Sequence, residues 1–269
     1  MLQILALIAA TSVEPIVSTE WLQAHLNDSN IRVIDVGERD DYDHAHIPGA
    51  RLMDHMETVR MGADGHRLAS NDVLIRALTT GGAADGARIV LYGDSPMATG
   101  WINTAFVAIG HGDDVSWLDG GIALWQAEHR PVSTTAPPAG TGPLTARPAP
   151  DFIVDAAWVR GRLQSPDTRV LDVRTQQEWD KGHLPGATLV LWQDLFADRK
   201  TQKFKSPEQI RALLSQAGVR PGQEIVTYCA VGMRASLMYW AARSVGVPAK
   251  LYIGSWQDWS HDSENPIVK

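Results

Sequence analysis

Short runs of apolar and β-branched residues punctuate the chain: IRVIDV (31–36), RIVLY (88–92), RVLDV (169–173) and EIVTY (224–228). Continuous apolar runs of this length are what strands of a parallel sheet need when both faces are covered. Between them lie longer stretches in which apolar positions recur every three or four residues. SPEQIRALLSQAGV (206–219) opens on Ser206 and Pro207 as N-cap and first helical position, places Ile210, Leu213, Leu214 and Ala217 on one face, and closes at Gly218. MRASLMYWAARSVG (233–246) predicts a second helix with Leu237, Trp240, Ala241 and Val245 on one face and Gly246 as its stop. Strands alternating with helices predict an α/β fold built on small parallel sheets flanked by helices.

The pattern occurs twice. VIDVGERDDYDHAHIPGA (33–50) falls on VLDVRTQQEWDKGHLPGA (170–187), with Asp35, His46, Pro48 and Gly49 over Asp172, His183, Pro185 and Gly186 at one constant offset. Further on, RIVLYGDSPMATGW (88–101) falls on EIVTYCAVGMRASL (224–237), and WLDGGIALWQ (117–126) on YIGSWQDWSH (252–261). A repeat this long means duplicated domains, since solenoid repeats are far shorter. STTAPPAGTGPLTARPAP (133–150) has no apolar periodicity and reads as an extended linker. The predicted division is an apolar leading segment (1–16), a first domain (17–132), the linker (133–150) and a second domain (151–269).

Composition narrows the function. A length of 269 residues suits two domains, and a formal net charge of −7 argues against a surface that neutralises nucleic-acid phosphates. A single cysteine excludes an internal disulfide and any multi-cysteine zinc site. The expected compartment is the cytoplasm. The segment MLQILALIAATS (1–12) is apolar enough to suggest export as the alternative, but it lacks a positive start and is too short to span a bilayer. No cofactor and no membrane span are expected. His44, His46, His55 and His66 fit no standard metal-ligand spacing, so no metal is expected either.

The lone cysteine, Cys229, stands where the strand EIVTY ends and the helix 233–246 begins. In open α/β sheets such strand-to-helix loops at the carboxyl ends bind ligands. Residues Cys229, Ala230, Val231, Gly232, Met233 and Arg234 would curl around the helix N-terminus with backbone N–H groups turned inward, a cradle for an anion. Gly232 supplies the backbone freedom for that curl. Helix dipole and guanidinium together favour the thiolate form of the cysteine.

CAVGMRAS, preceded by DVR…EW..GHLPGA and followed by Y.GSW..W, resembles the rhodanese family of sulfurtransferases in its two-domain form, over essentially the whole chain. The resemblance implies that Cys229 takes the outer sulfur of a small donor as a persulfide and passes it to an outside acceptor. The acceptor would be cyanide, a thiol, thioredoxin or a sulfur-carrier protein, and nothing in the sequence chooses among them. Arg234 is expected to order the loop and bind the donor. In two-domain members a basic residue at this strand end helps receive the donor, so Arg174 is expected either to do that or to form a surface ion pair. Glu178 stands where the animal thiosulfate and mercaptopyruvate enzymes place an arginine, which opens a Glu178–Arg234 pair as an alternative. Asp43 and His46 could reach the cysteine from the first domain, although a structural role in the same turn of each half explains both His46 and His183. The first half has Gly93 where Cys229 would be and is expected to be inactive.

Arg234 points to thiosulfate as donor, with 3-mercaptopyruvate as the alternative. Two other classes compete. A phosphatase would use the same cysteine and arginine, but its loop is a residue longer; a non-catalytic persulfide or redox sensor would need only the thiol. Because the active cleft lies within one chain, the expected state is a monomer.

Overall fold

The computed structural model describes residues 14–62, 65–138 and 142–269. The first half runs through β1 (Ile16–Val17), α1 (Thr19–His25), β2 (Ile31–Asp35), α2 (Arg39–His44), β3 (Arg51–Leu52), β4 (Val59–Gly62) and β5 (Gly65–Leu68). It continues with α3 (Asn71–Thr80), β6 (Arg88–Tyr92), α4 (Pro96–Ala108), β7 (Val115–Leu118) and α5 (Gly121–Ala127). The second half begins with β8 (Ile153–Val154), α6 (Ala156–Arg160), β9 (Thr168–Asp172), α7 (Gln176–Asp180), β10 (Thr188–Leu189), β11 (Phe196–Asp198) and β12 (Lys203–Phe204). It ends with α8 (Pro207–Gln216), β13 (Glu224–Tyr228), α9 (Met233–Ser244), β14 (Ala249–Tyr252) and α10 (Ser255–His261).

Each half builds one five-stranded sheet, ordered β1-β7-β6-β2-β3 and β8-β14-β13-β9-β10, with all neighbours parallel. The two orders are the same, as duplication requires. The central strands β6 and β13 are buried along four consecutive residues, which is why their sequences are continuously apolar rather than alternating. Each half also carries a small antiparallel hairpin, β4 with β5 and β11 with β12.

The helix predicted over 206–219 is α8, with Ser206 and Gln209 forming a reciprocal capping box and Pro207 in the first turn. The helix predicted over 233–246 is α9, but it has no solvent face over its middle. Residues Ala235 through Ala242 are all buried. The reason is α4, which covers the side away from its own sheet: a Cβ placed on Gly100 would lie 3.0 Å from the Leu237 backbone nitrogen. Glycine at this crossing lets the two helices approach at backbone distance, and it joins the domains.

Around this crossing, Trp117 of the first half packs on Phe204 and Trp240 of the second, with ring centroids 5.2 and 4.8 Å apart. Trp101, Val107 and Trp117 therefore belong to the same apolar cluster as the core of the second domain. Residues 133–150, predicted as a linker, form no helix or strand where described, yet they are strapped to the first domain. Ser133 exchanges two backbone hydrogen bonds with His46, Leu144 is buried, and Thr145 and Arg147 hold Asp85 and Asp114. Strand β1 begins at Ile16, one residue before the predicted boundary. The readings of residues 1–12 lie outside the described residues. No helix among the described residues is long and apolar enough to cross a membrane.

Candidate active site

Strands β9 and β13 run in register with Asp172 beside Tyr228, so the next residue, Cys229, leaves the sheet at the carboxyl ends of its central strands. The Tyr228 hydroxyl donates to Asp172 and accepts from the Leu184 amide at 3.1 Å, which fixes the strand end. Cys229 is fully buried, while Ala230, Val231, Met233 and Arg234 are half-buried and Gly232 is buried. Gly232 has φ +93°, and a Cβ there would stand 2.6 Å from the Ile253 carbonyl oxygen. No other residue type fits this bend. Its N–H donates to the Cys229 sulfur at 3.1 Å.

The loop is held from outside by its carbonyls. The amides of Trp256 and Gln257 donate to the carbonyl oxygens of Cys229 and Ala230 at 2.9 and 3.0 Å. The Cys229 amide donates to the Ser255 hydroxyl, which donates on to the Tyr252 carbonyl. With the carbonyls drawn outward, the amides of Ala230, Val231, Met233 and Arg234 have no protein acceptor among the described residues. Such a ring of donors at a helix N-terminus favours an anion. Ser255 adopts φ +57°, a strained setting for a serine, at the point where α10 meets the loop.

Arg234 points both terminal nitrogens at Glu178, each at 2.7 Å. Burial works against the arginine's charge, but the Glu178 carboxylate and the neighbouring Cys229 sulfur outweigh it and raise its pKa. The same pair, aided by the Thr175 cap, holds the Glu178 carboxyl down to about 2 despite its burial. The pair proposed as an alternative from the sequence is therefore formed.

Three expected site residues need correction. Arg174 is 2% exposed; its guanidinium is taken up by Asp172 and the Gly182 carbonyl and lies over the Trp256 ring. It neutralises a buried carboxylate rather than presenting a receptor. His46 is fully buried, with Nδ1 and Nε2 on the carbonyls of Tyr42 and Thr135 and its ring stacked on Tyr42 at 3.9 Å. Asp43 is exposed and pairs with Arg39 on its own helix. Neither reaches across to the second domain. Gly93, at the Cys229 position of the first half, could not hold any side chain, because a Cβ would lie 2.3 Å from the Val36 carbonyl oxygen.

Sequence reasoning passed over the residues that come from the first domain to the site. The β4–β5 hairpin leans onto α10, with Gly65 against the Gln257 side chain and Arg67 paired to Asp258 at 3.3 Å. Ser255 was visible only as part of the GSW motif. Among the described residues no group of three or more His, Cys, Asp or Glu side chains gathers as for a metal ion.

The Rhodanese-like domain family matches residues 18–128 and 155–262. The chain is 30% identical to the sulfur carrier protein TtuD of Thermus thermophilus, over 95% of this chain and 97% of that protein. It is 28% identical to a thiosulfate sulfurtransferase of Azotobacter vinelandii, covering 91% and 94% of the two chains. It is 29% identical to a probable 3-mercaptopyruvate sulfurtransferase of Pseudomonas aeruginosa, covering 94% and 97%. The fold matches the crystal structure of SseA from Escherichia coli, a 3-mercaptopyruvate sulfurtransferase, with a TM-score of 0.77 and 24% identity over 91% of this chain and 99% of that one.

Proposed function

We propose, from the premise that this chain belongs to the rhodanese-like family of sulfurtransferases and carries the family's domain twice, that it moves a sulfane sulfur from thiosulfate to a thiophilic acceptor such as cyanide. The Cys229 thiolate attacks the outer sulfur; the S–S bond of thiosulfate breaks, sulfite leaves with the bonding pair, and a Cys229 persulfide remains. Cyanide then attacks the terminal sulfur, thiocyanate leaves, and the thiolate is restored. No second cysteine is present to resolve the persulfide as a disulfide, so the sulfur waits for an outside acceptor. One observation carries this reading: Cys229 Sγ accepts the Gly232 N–H at 3.1 Å inside a loop whose other amides are turned from their own carbonyls. Those donors stabilise negative charge on the terminal sulfur as it develops.

A second donor, 3-mercaptopyruvate, is favoured by Glu178. Arg234 points to thiosulfate only as far as its charge is open to the donor, and both its terminal nitrogens face a carboxylate. A monoanionic donor needs less positive charge; its sulfur would pass to Cys229 as the thiol proton moves to carbon and pyruvate leaves. The inferred division is 17–132 and 151–269, with only the second half reactive. Every residue named at the site comes from one chain, which supports a monomer. A single free thiol suits the reducing cytoplasm.

The test is intact mass after exposure to thiosulfate or 3-mercaptopyruvate, with Cys229→Ser as control. One sulfur gained, lost in the variant and released by cyanide as thiocyanate, is the expected result, and the faster donor names the substrate. No gain from either donor refutes the reading.

A further inference from the structure

The first domain has no thiol, yet it touches the element that shapes the second domain's cradle. The loop amides point inward because the loop carbonyls are tied to Trp256 and Gln257, the second and third residues of α10. The placement of α10 therefore sets the placement of the donors. Asp258, the next residue, fixes that placement: its carboxylate accepts from the Tyr252 hydroxyl at 2.7 Å and faces Arg67 of the first domain at 3.3 Å. Gly254 lies so close to Asp258 that an added Cβ would stand 2.6 Å from the carboxylate. The Arg67 and Asp258 side chains are only 19% and 25% exposed, so their attraction is less screened than that of a surface pair.

Arg67 sits in β5, whose register with β4 is set by four consecutive antiparallel pairs. The hairpin is in turn packed at its base, where Val59 and Leu68 join the apolar cluster that contains Cys229 and α9. The first domain thus presents a cation to the helix that shapes the loop.

We propose that Arg67 is a positioning residue for the sulfur transfer carried out at Cys229, acting through Asp258 on α10 to hold the loop amides in the geometry that receives an anionic donor. The proposal rests on the sulfurtransferase reading, and it gives the inactive domain a part in that chemistry. Arg67 acts at two removes, from Asp258 to α10 and from α10 to the loop carbonyls.

The experiment compares wild type, Arg67→Gln, Arg67→Lys, Asp258→Asn and the Arg67→Gln/Asp258→Asn double variant. Asn at 258 keeps an acceptor for Tyr252, so it removes the charge without emptying the site. Two readouts are taken: the rate of sulfur loading by mass, and the ratio of Cys229 alkylation by iodoacetate, an anion, to that by neutral iodoacetamide. A loosened cradle lowers the anion's rate selectively, whereas general destabilisation does not change the ratio in that direction. Arg67→Gln is expected to lower the loading rate and the ratio about three- to tenfold, toward the low end for coupled residues because the pair is partly exposed. Arg67→Lys is expected to restore most of both, and the double variant to be no worse than either single one. Unchanged loading and ratio in Arg67→Gln, or fully additive losses in the double variant, overturn the proposal. If wild type itself takes up no sulfur while iodoacetate still reacts, the sulfurtransferase reading fails, and the alkylation ratios alone then decide the positioning role.

Discussion

Replacing Glu178 by Gln removes the charge that faces Arg234 while leaving an acceptor for the Thr175 cap. The Glu178 carboxyl is pulled to about 2 from an ordinary 4.5, first by the Arg234 contact and then by the Thr175 bonds, against the opposing effect of burial. That displacement corresponds to about 3 kcal/mol at about 1.4 kcal/mol per pH unit. The two side chains are 31% and 16% exposed. Solvent screening reduces the contribution to about 1–2 kcal/mol. A carboxyl depressed in the folded state stabilises it fully above its unfolded pKa, and the stability is lost as pH falls through the folded value. The contribution is therefore present at pH 7, declines below about 4.5, and should be under half its full size by about pH 3.

Urea unfolding of wild type and Glu178→Gln at both pH values measures this. The variant should be weaker by about 1–2 kcal/mol at neutral pH, and the gap should narrow in acid. Without the carboxylate, Arg234 offers its whole charge to the donor, so loading by thiosulfate relative to 3-mercaptopyruvate should rise several-fold. A stability gap of the same size at pH 3 would refute the ion-pair account, because only a packing defect is indifferent to protonation. A donor ratio that falls would refute the claim that Glu178 masks the cation.

Asp35, buried without an arginine beside it, has its pKa raised to about 7, mainly by desolvation. Its burden grows as pH rises from about 4 to 7, so Asp35→Asn should gain up to about 4 kcal/mol at pH 8 and little at pH 4.5, read by urea unfolding. Gly232→Ala puts a methyl against the Ile253 carbonyl at a positive φ. It should cost about 2 kcal/mol or more, and mass spectrometry should show sulfur uptake at Cys229 abolished. Gly100→Leu wedges α4 away from α9. A fall of about 1–3 kcal/mol is expected in thermal unfolding, and an unchanged melting temperature would contradict the close crossing.

The duplicated α/β architecture was legible because strand burial and helix amphipathicity leave direct marks: EIVTY could be nothing but a central strand, and Ser206-Pro207 nothing but a helix start. The gathering of Cys229, Gly232 and Arg234 in one strand-to-helix loop was legible for a related reason, since the apolar run stops just before the cysteine and the helical pattern starts just after the glycine. What stayed hidden lies between the domains. The even burial of α9 comes from α4, more than a hundred residues earlier in the chain, and no local periodicity records a partner at that distance. Arg174 was misjudged for the same cause: the sequence places it at a strand end, but only the structure shows that Asp172 beside it is fully buried and requires it as counterion. Of the two roles open to His46, the structural one in its own turn is the one its contacts fit, while Asp43 stays on the surface of its helix.

The two halves serve as each other's control, and the comparison separates architecture from chemistry. Features kept in both are structural: Tyr92 and Tyr228 each accept an amide hydrogen bond at 3.1 Å from the turn after the histidine. His46 and His183 each stack on an aromatic ring one helical turn earlier, at 3.9 and 3.5 Å, and each bridges to a returning segment. Trp125 and Trp259 each donate to a proline carbonyl. What differs is the machinery. Cys229, Arg174 and Glu178 stand against Gly93, Gly37 and Asp41. In the second half Arg174 pairs with the buried Asp172, Asp172 accepts from Tyr228, and Tyr228 ends the strand from which the thiol projects. In the first half Gly37 leaves Asp35 without that counterion, its Cβ position lying 2.7 Å from the carboxylate oxygen. Burial without a counterion favours the protonated carboxyl, whereas a guanidinium within hydrogen-bond distance favours the carboxylate. Arg174 is thus the counterion of a buried carboxylate, a part that Gly37 leaves unfilled in the first half.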